Sequence, residues 1–339
     1  MPDRSRSLRR LGFLTIGLFD PADPAVGHES TLSLIELGEE LGLDSAWLRH
    51  RHLQFGISSP IAVMAAASQR TSRIELGTAV TPLGWENPLR LAEDLATVDV
   101  LSGGRINPGV SVGTPMQYDT VKDALYPDTA EVEDFSKTRV ERLAGLLAGE
   151  RVRELEGKQG VVEEYSARVE PHSPGLRERL WYGAGSLDSA VWAGEHGLHL
   201  LSSSVLFPGP DEEPDFAAVQ AAQIRAFRAA GGTRASQGLV VIPTDSASTD
   251  QAERYRSYAA ERLPRTRTPQ CPRRMMFAPD LVGTSEEIAE QLWAHEGFRE
   301  VDEVAFALPF SFSHEDYVQI LTDIATRLGP ALGWTPASA

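Results

Sequence analysis

The 339-residue chain contains a single cysteine, Cys271, so no disulfide can form within it and a reducing compartment suits it. The cysteine lies in the stretch Pro269-Gln270-Cys271-Pro272-Arg273-Arg274, where arginines can lower its pKa, but no motif marks it as a nucleophile. Only three lysines occur, Lys122, Lys137 and Lys158. None falls at the end of a predicted strand, which excludes a Schiff-base aldolase. A zincin-type His-Glu-x-x-His motif is missing, as is a Rossmann glycine fingerprint. No apolar run reaches the roughly 20 residues of a membrane-spanning helix. Neither an internal repeat nor a low-complexity tract is present.

Positive charge is also scarce. The net charge of −16 repels polyanions, so neither nucleic acid nor an anionic membrane is an expected partner. Arg4, Arg6, Arg9 and Arg10 precede the apolar run Leu11 to Phe19, in imitation of a signal peptide. That run is short, and Asp20-Pro21-Ala22-Asp23-Pro24 follows without a cleavage site. A buried first strand is the better reading, and a cytoplasmic protein is expected. Apolar residues make up 42%, enough for a large core without a structural metal.

What is present is a rhythm. Short apolar runs alternate with helical patterns along the whole chain. Strands are predicted at residues 11–18, 45–49, 74–81, 105–112, 180–184, 198–202, 239–242 and 303–308. Helices between them carry start signals: Pro60, Asn87-Pro88, Ser186, the capping box Thr284/Glu287, and Ser313. Strands separated by helices pair in parallel through crossovers, and eight such units favour a closed barrel. The expectation is an α/β fold, a single (β/α)8 TIM-type barrel over residues 1–339, with insertions at about 149–179, 205–215 and 264–283. The first insertion holds a possible hairpin.

In this fold the chemistry sits at the C-terminal strand ends. Gly183-Ala184-Gly185-Ser186-Leu187-Asp188-Ser189 is a phosphate-site candidate, because glycines admit close backbone approach and a helix N-terminus favours an anion. An ordinary helix start explains the same residues equally well. His50 and His52 alternate on strand two and face one side. They suit proton transfer to a bound cofactor, or a metal, although Arg49 and Arg51 beside them disfavour a cation. No carboxylate pair spans the strand ends, against a glycosidase. Met116, Tyr118 and Phe207 could line an apolar pocket or simply pack their loops.

Several segments together resemble the luciferase-like flavin monooxygenases. They are Trp47 to His52, Gly77-Thr78-Ala79-Val80-Thr81-Pro82, Asn87 to Asp94, Leu101-Ser102-Gly103-Gly104-Arg105, Gly183 to Gly197, and Val282 to Ile288. The resemblance covers roughly residues 11–328. It implies reduced FMN lying across the strand ends, oxygen and a small organic substrate, and a separate flavin reductase as partner; a homodimer is expected. It also implies a cis peptide at Ala79–Val80 beneath the flavin ring. Carried over by position, the cofactor-binding residues are Ala79, Val80, Ser111, Gly183, Ala184, Gly185, Ser186 and Ser189. The catalytic candidates are His52, at the flavin edge, and Arg51, supplying positive charge to the reduced ring; no metal is expected. Two departures stand out. The family's Glu-His-His is His50-Arg51-His52 here, and its strand-four arginine on the phosphate is replaced in Ser111-Val112-Gly113. Gly185 also stands where the luciferase phosphate loop opens with an acidic residue. Some relatives use a deazaflavin for hydride transfer instead, so that alternative remains. A metal-dependent hydrolase and a non-catalytic flavin-binding protein rank lower.

Overall fold

The computed structural model describes residues 7–209, 215–270 and 274–337. Cys271 lies outside them. Five strand segments open the chain: β1 (Arg10–Thr15), β2 (Ser45–Leu48), β3 (Glu75–Thr78), β4 (Thr81–Pro82) and β5 (Ile106–Asn107). Then follow β6 (Gly109–Ser111), the hairpin β7 (Gly157–Gln159) and β8 (Glu163–Tyr165), β9 (Trp181–Gly183), β10 (His199–Ser203) and β11 (Val205–Leu206). The last are β12 (Ala235–Gly238), β13 (Val241–Pro243), β14 (Met276–Phe277), β15 (Leu281–Gly283) and β16 (Glu303–Ala307).

All neighbours in the main sheet pair in parallel, and β1 pairs with both β2 and β16. β3 continues into β4 across the Ala79–Val80 bond, and β5 continues into β6 across Pro108. β3 pairs with β5, and β4 with β6, so the two ends of the sheet are successive halves of the same two strands. The sheet therefore closes into the expected eight-stranded barrel. Helices such as Pro88–Ser102 cover its outside; Asn87 caps that helix, Pro88 starts it, and Gly103 ends it at φ 71°.

The barrel interior is filled in layers. At the N-terminal end, Arg10 pairs with Glu75 (2.8 Å) and Arg234 with Glu303 (2.9 Å), which closes the bottom with alternating charge. Above them the rings of Trp47 and Trp181 meet edge-on, centroids 5.3 Å apart, beside Leu201 and Ala305. This apolar plug leaves only the C-terminal mouth open for chemistry.

One expectation is corrected in part. The seventh barrel strand opens at β12, ahead of the expected residues 239–242, which continue it: Val240 bridges Ala307 beside β12's pairing with β16, and β13 then pairs with β15. β12 reads as polar in sequence, but its buried Gln237 donates to Gln220 of the covering helix Phe216–Ala229. Apolarity thus pointed to the neighbouring segment. The first helix begins at Pro24, because Asp23 accepts from the Val26 amide and starts it there. The hairpin in the first insertion is present.

Candidate active site at the barrel mouth

β2 sets the centre of the site. Trp47 points into the barrel, and the Arg49 amide donates to the Thr15 carbonyl (3.1 Å), so pairing continues beyond Leu48. Side chains alternate along a strand, so Arg49 projects to the inner side, above the tryptophans. Among the described residues its guanidinium has no hydrogen-bond or ion-pair partner. Burial, with Arg51 as a like charge nearby, lowers its pKa to about 10.

His50 and His52 meet as predicted. Nδ1 of His50 and Nε2 of His52 lie 3.1 Å apart, and His50 Nε2 is 3.4 Å from the Thr81 hydroxyl. Burial, with His52 beside it, pushes His50 down to about 3, and burial lowers His52 as well. Both imidazoles are therefore neutral at neutral pH. The His52 ring stacks on Trp85 at 4.3 Å and 10°, rather than against the loop that follows it.

Sequence reasoning missed two partners of this pair, Trp85 and Glu86, which lie in a loop that no local motif marks. One atom each of His50, His52 and Glu86 fall within 4.8 Å of one another. Burial, and secondarily Asp94, raises the Glu86 carboxyl to about 7. The set has donors a cation could use, but the ring nitrogens already share a hydrogen bond, and Arg49 and Arg51 share the strand end. His199, the other histidine on a barrel strand, packs on Trp181 (4.8 Å) in the interior and takes no part.

Arg51 lies with its guanidinium carbon 5.7 Å from the centre of the Phe310 ring, on the rim.

The Ala79–Val80 peptide is cis, and both residues border the inner cluster. A Cβ at Gly183 would lie 2.8 Å from Val80 Cγ1, so glycine there makes room for Val80. Ser111 is half-buried and pairs in register with Pro82. A Cβ at Gly185 would lie 2.7 Å from the Phe207 ring, and the Phe207 amide donates to Gly185 O (2.6 Å). Ala184 is buried beneath this turn. Ser186 caps the helix Leu187–Glu195, accepting from the Ser189 amide at 3.4 Å. The predicted phosphate turn is thus a capped helix start whose first amides face outward from the strand end. Of the suggested pocket residues, Met116 is 77% exposed and the Tyr118 hydroxyl donates to the Ala130 carbonyl twelve residues on (2.8 Å).

The family profile described as luciferase-like monooxygenase matches residues 11–300. The chain belongs to that family. It is 28% identical over 198 residues to the alkanal monooxygenase alpha chain of Photobacterium leiognathi, covering 56% of this chain and 53% of that one. It is 36% identical over 99 residues to an F420-dependent glucose-6-phosphate dehydrogenase of Amycolatopsis mediterranei, covering 27% and 30%. The matches thus span about half or less of these relatives' lengths. A solved type II Baeyer-Villiger monooxygenase in complex with FMN, the oxygenating constituent of 3,6-diketocamphane monooxygenase from Pseudomonas putida, superposes with a TM-score of 0.65 at 15% identity. It covers 95% of this chain and 98% of that one. The fold of the luciferase-like family is therefore complete here. No helix among the described residues is long and apolar enough to cross a membrane.

Proposed function

We propose that this chain oxygenates a small organic substrate with oxygen and reduced FMN delivered by a separate flavin reductase. One observation carries the reading: a largely buried guanidinium, Arg49, at the end of β2 with no partner among the described residues, next along the chain to a neutral imidazole pair. An unpaired buried charge is costly unless a ligand supplies its counter-charge. A reduced flavin ring, anionic and planar, supplies both the charge and a flat face.

The residues present fit that group. Ala79 and Val80 offer backbone and small side chains as a floor, and Arg49 offers charge to the ring. Ser186, Ser189 and the first amides of their helix offer donors to a phosphate, in place of the missing family arginine. When bound, FMN supplies the electrons that activate oxygen. His52 holds or moves a proton at its free ring nitrogen, oriented by Trp85 and by the bond to His50. Water is excluded by Phe207 over one side of the mouth and by Phe310 over another.

A second reading, hydride transfer with a deazaflavin, is favoured by the 36% identity to the F420-dependent dehydrogenase. Anaerobic titration with reduced FMN and with reduced F420 separates the two, followed by oxygen-uptake measurements. Tight binding of reduced FMN is expected. Binding of F420 alone would replace the monooxygenase reading with the second.

A further inference from the structure

The protein is strongly acidic overall, yet one side of its barrel mouth is basic. Arg51 and Arg262 both lie against the Phe310 ring, at 5.7 and 5.1 Å from its centre. Arg262 also covers Tyr258 (4.6 Å), and Arg265 covers Phe277 (4.5 Å). Among the described residues, one buried carboxylate, Asp280, reaches this group. It binds Arg262 at 2.5 Å, while Arg265 stands 4.0 Å away. Nε of Arg265 is buried without a hydrogen-bond partner. The guanidinium of Arg51 has neither a hydrogen bond nor an ion pair among the described residues, and the same holds for Arg49 deeper in the mouth. Among the described residues, Arg262 and Arg265 thus share one acid while Arg49 and Arg51 have none, and the guanidiniums of Arg51, Arg262 and Arg265 lie against aromatic rings. Structural arginines are normally paired when buried, so the surplus charge points to a ligand anion. Guanidinium groups suit carboxylates in particular, whose two oxygens match their donor fork. The rings offer stacking faces to a planar body.

We propose that the substrate is a planar organic acid whose carboxylate is held by Arg51 and Arg265 on the rim near Phe310 and Phe277. This rests on reading the mouth as the cofactor and substrate site. The arginines lie beside β16, β2 and the third insertion, whereas the helix start proposed for the cofactor phosphate follows β9. Phe277 pairs with Val205 of β11, two residues before the Phe207 that packs on Gly185, so the rim borders the phosphate turn there, and the FMN-to-riboflavin ratio tells the two anion sites apart.

The test uses the full chain and two probes of one shape, benzoate and its neutral isostere benzamide, in low-salt calorimetry. Benzoate is expected to bind at least about tenfold more tightly, as charge-assisted hydrogen bonds predict. Arg51→Gln and Arg265→Gln should each remove most of that preference, while Arg265→Lys retains part of it and controls for folding. The ratio of FMN to riboflavin affinity should not change in these variants. Equal binding of benzoate and benzamide would overturn the proposal. So would a fall in the FMN-to-riboflavin ratio in Arg265→Gln, because the arginines would then serve the cofactor phosphate. Benzoate preference that persists in a chain that binds no FMN would keep the organic-acid site and remove the flavin reading alone.

Discussion

The imidazoles of His50 and His52 share a hydrogen bond of 3.1 Å, and His52 in turn lies flat on Trp85 at 4.3 Å. The bond occupies Nε2 of His52 and leaves its Nδ1 to meet a ligand. The stacking fixes the plane of the ring. A histidine so held is set up to exchange one proton at one atom, and its lowered pKa keeps it neutral at neutral pH.

His52→Ala is accordingly expected to reduce turnover by about 10²- to 10⁴-fold, the usual worth of general acid–base catalysis. Flavin affinity should stay within about tenfold. Trp85→Leu, which removes the stacking face and leaves the imidazole, should give a smaller loss in turnover. Steady-state kinetics and flavin titration on the same preparations check both. Unchanged turnover in His52→Ala would make the residue structural.

Ser189→Ala is expected to weaken FMN binding by roughly ten- to a hundredfold and leave riboflavin binding unchanged, since only FMN carries the phosphate. Ser186→Ala adds the loss of a helix cap, about 1 kcal/mol of stability, and should lower the melting temperature as well. Fluorescence titration with the two flavins separates phosphate binding from ring binding. Equal losses for FMN and riboflavin would place the phosphate elsewhere.

Glu86 gives a pH signature. Its carboxyl is raised to about 7 by burial and by Asp94, against an ordinary value of 4.5. The folded state therefore holds the proton more firmly than the unfolded state. Its favourable contribution is complete below about pH 4.5 and is lost as pH rises through 7. Glu86→Gln mimics the protonated form at every pH. The variant should exceed the parent in stability by about 1–3 kcal/mol at pH 8, and match it near pH 5. Urea unfolding at the two pH values measures the difference. A stability difference independent of pH would contradict the assignment.

Much of the fold was legible because its signals are local. Asn87-Pro88, Thr284 with Glu287, and Ser313 start their helices where the capping chemistry places them. Seven of the barrel strands are visible as apolar runs between those helices. The exception, β12, is polar in sequence because Gln237 is satisfied across the layer by Gln220, a pairing between residues 17 apart that no local pattern announces.

The site divides along the same line. By itself, the sequence determined that His50 and His52 lie on one side of a strand end, because a strand alternates with a period of two. It also determined that Gly183 to Ser189 forms a strand-to-helix turn, and that the chain resembles a flavin-dependent family. Only the tertiary structure decided which side of the strand end faces inward, because that depends on Trp47 entering the barrel to meet Trp181. It alone brought Glu86 and Trp85 to the histidines across the gap between neighbouring strand ends. It also set Arg262 and Arg265 on the buried Asp280, and brought Arg51, from a distant part of the chain, to the Phe310 ring that Arg262 also faces. Charge accumulates there through space, and a reading confined to neighbours along the chain does not register it.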